Sequence, residues 1–368
     1  MKILVLTSRY TATRDIVSED FGRQIRLFSA LKKRGHEIDF FCADYRKKER
    51  QEIMLHDINV LIRPFGIFSM GPFYGELTWR LRKEKYDLLI ATSDPLWGVI
   101  GRWAAKSTKT PFLYDLHDNY ETYLTYRFPF VPYFERKAIQ DADIVTTVSY
   151  ALKEKITSLR KQKVAVIQNG ADIELFGPLP KDKCRKALNL PTDGKLIGYA
   201  GSIQRDQGID VLIKAVIEIR KKTPKAILVI AGRFYGEEEK HLDLKQEGIV
   251  YLGSLSQEDT VKLINACDVA VVPNKKNAFT QYCFPYKVVE YMACDVPIVA
   301  TKVGDVAQLL RKFPESLCEP DDWKSMASAI KKQFSSRKKH SYREQMMGNT
   351  WDEIARKLDA AIHTIGKR

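Results

Sequence analysis

Residues 196–231 read LIGYAGSIQRDQGIDVLIKAVIEIRKKTPKAILVIA, and their pattern decides the fold. Leu196–Ala200 is a short, continuously apolar run, as expected of a strand covered on both faces. Gly201-Ser202-Ile203-Gln204-Arg205-Asp206-Gln207-Gly208 is a polar loop bracketed by glycines. Ile209–Lys221 carries apolar residues at helical spacing, and Ala226–Ala231 returns to an apolar run of strand length. Strand, crossover helix and second strand form a βαβ unit, and therefore a parallel sheet.

The same alternation extends in both directions. Towards the C-terminus the pattern predicts strands Ile249–Leu252, Val269–Val272 and Pro297–Ala300, with helices Gln257–Ala266 and Tyr286–Ala293 between them. Towards the N-terminus it predicts strands Ile3–Thr7, Glu37–Cys42, Asn59–Arg63, Asp87–Ala91, Phe112–Asp115, Ile144–Val148 and Val164–Ile167. Helical patterns Phe21–Arg34, Leu96–Lys106 and Tyr150–Leu159 fall among these. The rhythm pauses over 170–193, where Asn169-Gly170 and three prolines signal a linker, with one amphipathic turn at Lys181–Leu188. The fold class is α/β, with two tandem Rossmann-like domains: 1–172 and 173–350. A last helix, 351–366, is expected to cross back to the first domain.

Composition sets limits. A chain of 368 residues with 45% hydrophobic and 29% charged residues is of two-domain length and globular type. No apolar run approaches the ~20 residues of a membrane-spanning helix. The first residues read as a strand and not as a signal peptide. Six scattered cysteines without a C-x-x-C pair fit a reduced, cytoplasmic setting. The net charge of +14 is shared by both halves and clusters at Lys32-Lys33-Arg34, Arg46–Arg50 and Arg80–Lys85. Phosphorylated substrates, an anionic membrane or solvated helix faces each account for it. Nucleic acid is set aside, because no zinc-finger, RRM-like or basic-zipper spacing accompanies the charge.

In an open parallel sheet, ligands bind beyond the carboxyl ends of the strands. Four strand-end segments therefore matter. Phe21-Gly22 opens a helix, and the glycine permits close backbone approach to a phosphate. The segment Asp115-Leu116-His117-Asp118-Asn119-Tyr120-Glu121 gathers titratable groups that need solvent or a ligand. Gly201–Gly208 suits a diphosphate, although glycines at such turns also serve packing alone. In Tyr282-Cys283-Phe284-Pro285-Tyr286-Lys287-Val288-Val289-Glu290, the proline is placed to start a helix. Lys287 and Glu290 then share its surface, as a ligand site or as a plain ion pair. Asp141-Ala142-Asp143 imitates a metal-binding D-x-D, yet it precedes a strand, at the wrong end for a ligand. The six histidines show no metal-ligand spacing. Absence of G-x-G-x-x-G argues against a nicotinamide dehydrogenase.

Taken in order, these segments resemble the retaining family-4 glycosyltransferases of the GT-B fold. The likeness runs through Met1–Arg9 with Phe21-Gly22, Lys33-Arg34-Gly35-His36-Glu37, Leu116-His117-Asp118 and Ala142–Ser149. It continues through Asn169-Gly170-Ala171-Asp172 with Phe176, Tyr199–Ile213, Phe284–Thr301 and Trp351–Ala355. The resemblance implies two domains facing across a cleft, the second binding a nucleotide-diphospho-sugar. It also implies sugar transfer to a glycan or lipid-linked acceptor with retention, and neither cofactor nor essential metal. By the same likeness Glu290 holds the donor ribose, and the Phe284–Lys287 backbone meets sugar and phosphates. Gly22 approaches the diphosphate, and His117 lies beside the transferring sugar. Candidate catalytic residues are His117, Asp118 and Glu290. Candidate donor-binding residues are Gly22, Gly201, Ser202, Arg205, Gln207, Tyr282, Phe284, Pro285, Tyr286, Lys287 and Glu290.

Four positions depart from the family pattern, among them Asp295, where Gly is usual. Ser202 and Gln207 stand where an Arg and a Lys are usual, and Tyr282 replaces the first Glu of E-x7-E. Arg205 and Lys287 are the nearest basic residues to supply the missing charge. The departures keep a catalytically silent partner subunit open as an alternative, and the shared architecture keeps open a nucleotide-sugar epimerase. Finally, Phe65-Gly66-Ile67-Phe68-Ser69-Met70-Gly71-Pro72-Phe73-Tyr74 is apolar and precedes the basic Arg80–Lys85 cluster. It reads either as a buried loop or as a contact with the inner face of an anionic membrane.

Overall fold

A computed structural model describes residues 1–11, 14–236, 241–336 and 341–365. The chain divides into two compact units, Met1–Asn169 with Trp351–Arg368, and Gly170–Thr350.

The first unit begins with β1 (Lys2–Ser8), a small antiparallel pair β2 (Tyr10–Thr11) and β3 (Arg14–Asp15), and α1 (Arg23–Lys32). There follow β4 (Glu37–Asp44), β5 (Gln51–Leu55), β6 (Ile58–Pro64) and α2 (Met70–Lys83). Next come β7 (Leu88–Thr92), α3 (Pro95–Thr108), β8 (Phe112–Leu116), α4 (Val131–Asp141), β9 (Ile144–Thr147), α5 (Tyr150–Thr157) and β10 (Val164–Val166). The sheet order is β10-β9-β8-β7-β1-β4-β6-β5, with only β5 antiparallel to its neighbour. Strand order reverses between β1 and β7. The central strands are apolar throughout because helices cover both faces, and Ile3, Leu4, Val5 and Leu6 are fully buried.

Unit two holds α6 (Lys181–Ala187), β11 (Lys195–Ala200), α7 (Ile209–Arg220), β12 (Ala226–Ala231), β13 (Ile249–Tyr251), α8 (Gln257–Ala266) and β14 (Val269–Val272). It continues with α9 (Tyr286–Ala293), β15 (Ile298–Thr301), α10 (Asp305–Leu309), β16 (Leu317–Cys318), α11 (Trp323–Ser335) and α12 (Tyr342–Met346). Its six strands are parallel in the order β13-β12-β11-β14-β15-β16, reversing between β11 and β14. One face of the core packs α7 and α11 on the sheet through Leu212, Val216, Ile219, Met326 and Ile330. The last helix, α13 (Trp351–Ile362), returns to the first unit and packs on α1. Its buried stripe of Ile354, Ala355, Leu358 and Ile362 has helical spacing. Asp359 anchors it to Arg34 and His36 at 3.0 Å each. Residue 366, the expected end of this helix, lies outside the described residues.

Every strand and helix read from the pattern appears, with ends shifted by a few residues at most. Helices α2, α4, α10, α11 and α12 and the strands β2, β3, β5 and β16 are additions. Gly71, Pro72 and Gly75 make the start of α2 look like a loop, but a proline in the first turn forfeits no intrahelical hydrogen bond. Pro132 plays the same part in α4. The Phe65–Tyr74 segment thus divides. Phe65 and Phe73 are buried against Trp97, while Ile67, Phe68 and Met70 are exposed.

Candidate functional site

In the first unit the polar groups gather where β1, β7 and β8 end. Gly22, with φ of +98°, is the N-cap of α1 and supplies no capping side chain. The next residue, Arg23, turns inward and is almost fully buried. Its guanidinium grips Asp115 of β8 in a two-pronged pair, Nε to Oδ2 at 3.2 Å and Nη2 to Oδ1 at 3.0 Å. Thr92 and Thr146 donate to the same carboxylate at 3.0 and 2.6 Å. With Arg23 beside it, Asp115 stays below the ordinary carboxylate range despite burial.

His117 follows β8 and is buried. Its Nδ1 lies 3.3 Å from Thr92 Oγ1, 3.4 Å from Gln24 Nε2 and 3.5 Å from Tyr120 Oη. Its Nε2 lies 3.8 Å from the Asp118 carboxyl. Burial pulls the imidazole down to about 4, with Arg23 adding to the effect against the attraction of Asp115. His117 is therefore neutral at physiological pH. Burial pushes Asp118 the other way, to about 7, against the hydrogen bond it accepts from Tyr123 at 2.8 Å. A neutral imidazole beside a carboxyl poised near neutrality positions hydroxyl groups well, and it is no permanent charge.

In the second unit the groups gather where β11 and β14 end, at the reversal of strand order. Gly208, at φ +69°, opens α7, and a side chain there would collide with the Pro273 carbonyl that ends β14. Gln207 is buried, Ser202 exposed and Gly201 half-buried. Pro285 is the N-cap of α9, and no side chain caps that helix. Lys287, in its first turn, is buried and points its ammonium towards β11. Nζ donates to Tyr199 Oη at 3.0 Å and to Gln207 Oε1 at 2.5 Å. A Cβ at Gly201 would stand 3.1 Å from that Nζ, so the glycine leaves room for it. Burial lowers Lys287 to about 7, with Glu290 pulling the other way. The plain surface ion pair is thus not what forms. Lys287 is drawn inward, and Glu290 sits half-buried one turn on.

Tyr282, Pro285 and Tyr286 are half-buried, and Phe284 is fully buried. Arg205 lies in the same turn as Gln207. Its side chain is exposed and lines a pocket of about 420 Å³ with Ile209, Asp210, His241, Leu242 and Lys275. The two acids of the D-x-D serve structure. Asp141 pairs with Arg102 and Lys106 at 2.6 Å each, and Asp143 accepts the Phe112 N–H at 2.8 Å. No cluster of metal-ligating side chains occurs among the described residues.

Sequence reasoning missed Arg23, Gln24, Tyr199 and Asn274. Asn274, just beyond β14, is buried with its Oδ1 unpartnered. A polar residue immediately after an apolar strand at the switch point was the available signal. Arg23 was signalled only by standing directly after Gly22.

Comparison with known proteins meets this geometry. Residues 25–175 match the model for Glycosyltransferase Family 4, and residues 180–357 match that for Glycosyl transferases group 1. The chain belongs to the family-4 glycosyltransferases of the GT-B fold, and it is an enzyme of sugar transfer. It is 27% identical over 362 residues to TuaC of Bacillus subtilis (strain 168), 90% of this chain and 88% of that one. The name of TuaC assigns it provisionally as a teichuronic acid biosynthesis glycosyltransferase. Among solved structures, sucrose-phosphate synthase from Thermosynechococcus elongatus superposes with a TM-score of 0.79 at 20% identity, covering 99% of this chain and 98% of that one. Anabaena Alr3699/HepE in complex with UDP-glucose gives 0.76 at 19%, covering 98 and 99%. The silent-subunit and epimerase alternatives draw no support from these likenesses.

Proposed function

We propose that the second unit binds a nucleotide-diphospho-sugar and that the enzyme passes the sugar, with retention, to a glycan or lipid-linked acceptor. The observation that carries this reading is the buried Lys287 ammonium at the β11–β14 switch point. A departing diphosphate needs positive charge in a water-poor site, and a preorganised ammonium meets that need. Gly201, Ser202, Gln207 and the Phe284–Lys287 backbone line the phosphates, Tyr282 and Glu290 take the sugar and ribose side, and Arg205 flanks the group. Gly22 is a further diphosphate contact in this reading. His117 and Asp118 orient hydroxyls of the reacting sugars.

The reaction in this reading needs no cofactor and no metal, and the D-x-D carboxylates are already engaged by Arg102, Lys106 and a backbone N–H. The domains divide the work at 172/173, with 351–366 joined to the first. The enzyme acts in the cytoplasm, peripheral on the inner face of the membrane. Six buried cysteines, none joined in a disulfide, support a reducing compartment. No helix among the described residues is long and apolar enough to cross a membrane.

Titration calorimetry with UDP- and GDP-sugars, followed by mass spectrometry of products formed on membrane extract, tests the reading. Expected is binding of one nucleotide series, a new glycosylated product, and persistence of both in EDTA. Failure to bind any nucleotide-sugar would sink it.

A further inference from the structure

The first unit exposes two apolar clusters that its core does not use. One is Ile67, Phe68 and Met70, where β6 passes into α2, with Phe68 97% exposed. The other is Leu124, Phe128, Phe130 and Tyr133, between β8 and the first turn of α4, with Leu124 73% exposed. The rings of Phe128 and Phe130 stack 6.2 Å apart. A helix that follows a strand of a parallel sheet starts at the carboxyl edge of that sheet. Helices α2 and α4 both pack on α3. Both clusters therefore lie on one rim, and His117 and Asp118 follow β8 at the same edge. The Tyr123–Asp118 hydrogen bond ties the second cluster's segment to that strand end.

The exposed charge on this rim is chiefly basic, and the exposed acid Glu121 at its start is paired with Lys155 at 2.5 Å. Residues 124–137 contain Arg127, Arg136 and Lys137 and a single acid, Glu135, which is buried and accepts from Tyr114 at 3.1 Å. Residues 65–72 carry no charge at all. Exposed Arg46, Lys47 and Lys48 follow β4, and a Cβ on Gly66 would meet the Lys48 side chain at 3.7 Å. Exposed aromatic rings among cations, with the neighbouring acid Glu121 already paired, match an anionic bilayer surface. A second copy of the chain would bring these cations face to face.

We propose that this rim seats the first unit on anionic lipid, inserting Phe68 and the Phe128–Phe130 pair, so that a lipid-anchored acceptor arrives at the end of β8. The inference deepens the acceptor side of the proposed function and does not depend on the donor side. Co-sedimentation of the full chain with phosphatidylcholine vesicles, and with equimolar phosphatidylcholine–phosphatidylglycerol vesicles, tests it. Expected is binding to the mixed vesicles only, weakened by salt. F128S/F130S, by removing inserted apolar area, and R127E/R136E, by removing surface cations, should each weaken that binding at least about tenfold. Thermal melting and nucleotide-sugar calorimetry should stay unchanged in both variants. Equal vesicle binding by variants and wild type overturns the proposal. So does absence of wild-type binding, or a self-association seen by sedimentation velocity that the same substitutions abolish. Donor binding that survives such an outcome leaves the donor reading intact, and its loss in the wild type would refute that reading alone.

Discussion

The ammonium of Lys287 on α9 stands 2.5 Å from the side-chain oxygen of Gln207, which precedes α7. Glutamine occupies the position where the family resemblance leads one to expect a lysine. Lys287 thus places a positive charge beside the loop in which that lysine is missing. Tyr199 holds it from β11, and the glycine at 201 leaves it space.

The burial of Lys287 predicts a defined pH dependence. Lys287 is lowered to about 7 by burial, so in the free protein it loses its proton as pH rises through that value. A diphosphate requires the protonated form, and binding above pH 7 must draw a proton from solvent. Donor affinity should weaken with each pH unit above 7, by up to about tenfold per unit for one coupled proton. Calorimetry across pH 6–9 measures this. K287M should bind donor at least about tenfold more weakly and lose the pH slope. The exchange Q207K/K287Q should restore much of the affinity. A pH-independent affinity in the wild type would remove Lys287 from the phosphate site.

The Arg23–Asp115 pair makes a prediction about stability. Both partners are almost completely buried, and two threonines complete the carboxylate's hydrogen bonds. Removing one partner leaves an uncompensated buried charge, which costs about 3–5 kcal/mol. R23M and D115L should each lower the midpoint of urea unfolding clearly, while R23M/D115L should recover part of the loss. Midpoints from far-ultraviolet circular dichroism decide it, and additive losses would deny the coupling.

Much of this architecture was legible in the chain because period and punctuation agree. β12, α8, β14 and α9 fall on the expected residues, where apolar runs end sharply at polar or helix-starting positions. α2 was hidden by glycines and a proline that its first turn tolerates, and α4 by Pro132 after an aromatic, loop-like stretch. At the site, types and positions were readable, but direction was not. Nothing in the spacing of Lys287 and Glu290 says that the lysine turns inward to Tyr199, because that depends on a strand 88 residues away. Arg205 illustrates the reverse, a loop cation that lines a neighbouring pocket.

His117 yields a kinetic prediction. Its imidazole, pulled down to about 4, does not titrate between pH 5 and 8 and so contributes no pH step to turnover there. H117A should reduce kcat by about 10²-fold, the scale of one lost polar contact to a reacting group, with donor affinity little changed. A kcat profile that keeps its shape in H117A fits a positioning role. A step near pH 6.5 present only in the wild type would show the imidazole titrating instead.

The segment between β8 and α4 is held by three buried or half-buried carboxyls, and this sets how the fold responds to pH. Asp118 accepts from Tyr123, Asp94 from Thr125 at 3.0 Å, and Glu135 from Tyr114. Burial raises them to about 7, about 6 and about 7. A carboxyl whose value is higher folded than unfolded binds more protons when folded, so stability falls as pH rises between the two values. For these groups that window runs from about pH 4 to about pH 7. Glutamine keeps the shape and the accepting oxygen of Glu135 without the ionisation. E135Q should match the wild type at pH 5 and exceed it at pH 8 by on the order of 1–3 kcal/mol, or several degrees of melting temperature. Differential scanning calorimetry at the two pH values measures the gap. A gap that fails to widen from pH 5 to pH 8 would mean that Glu135 ionises in the fold without penalty.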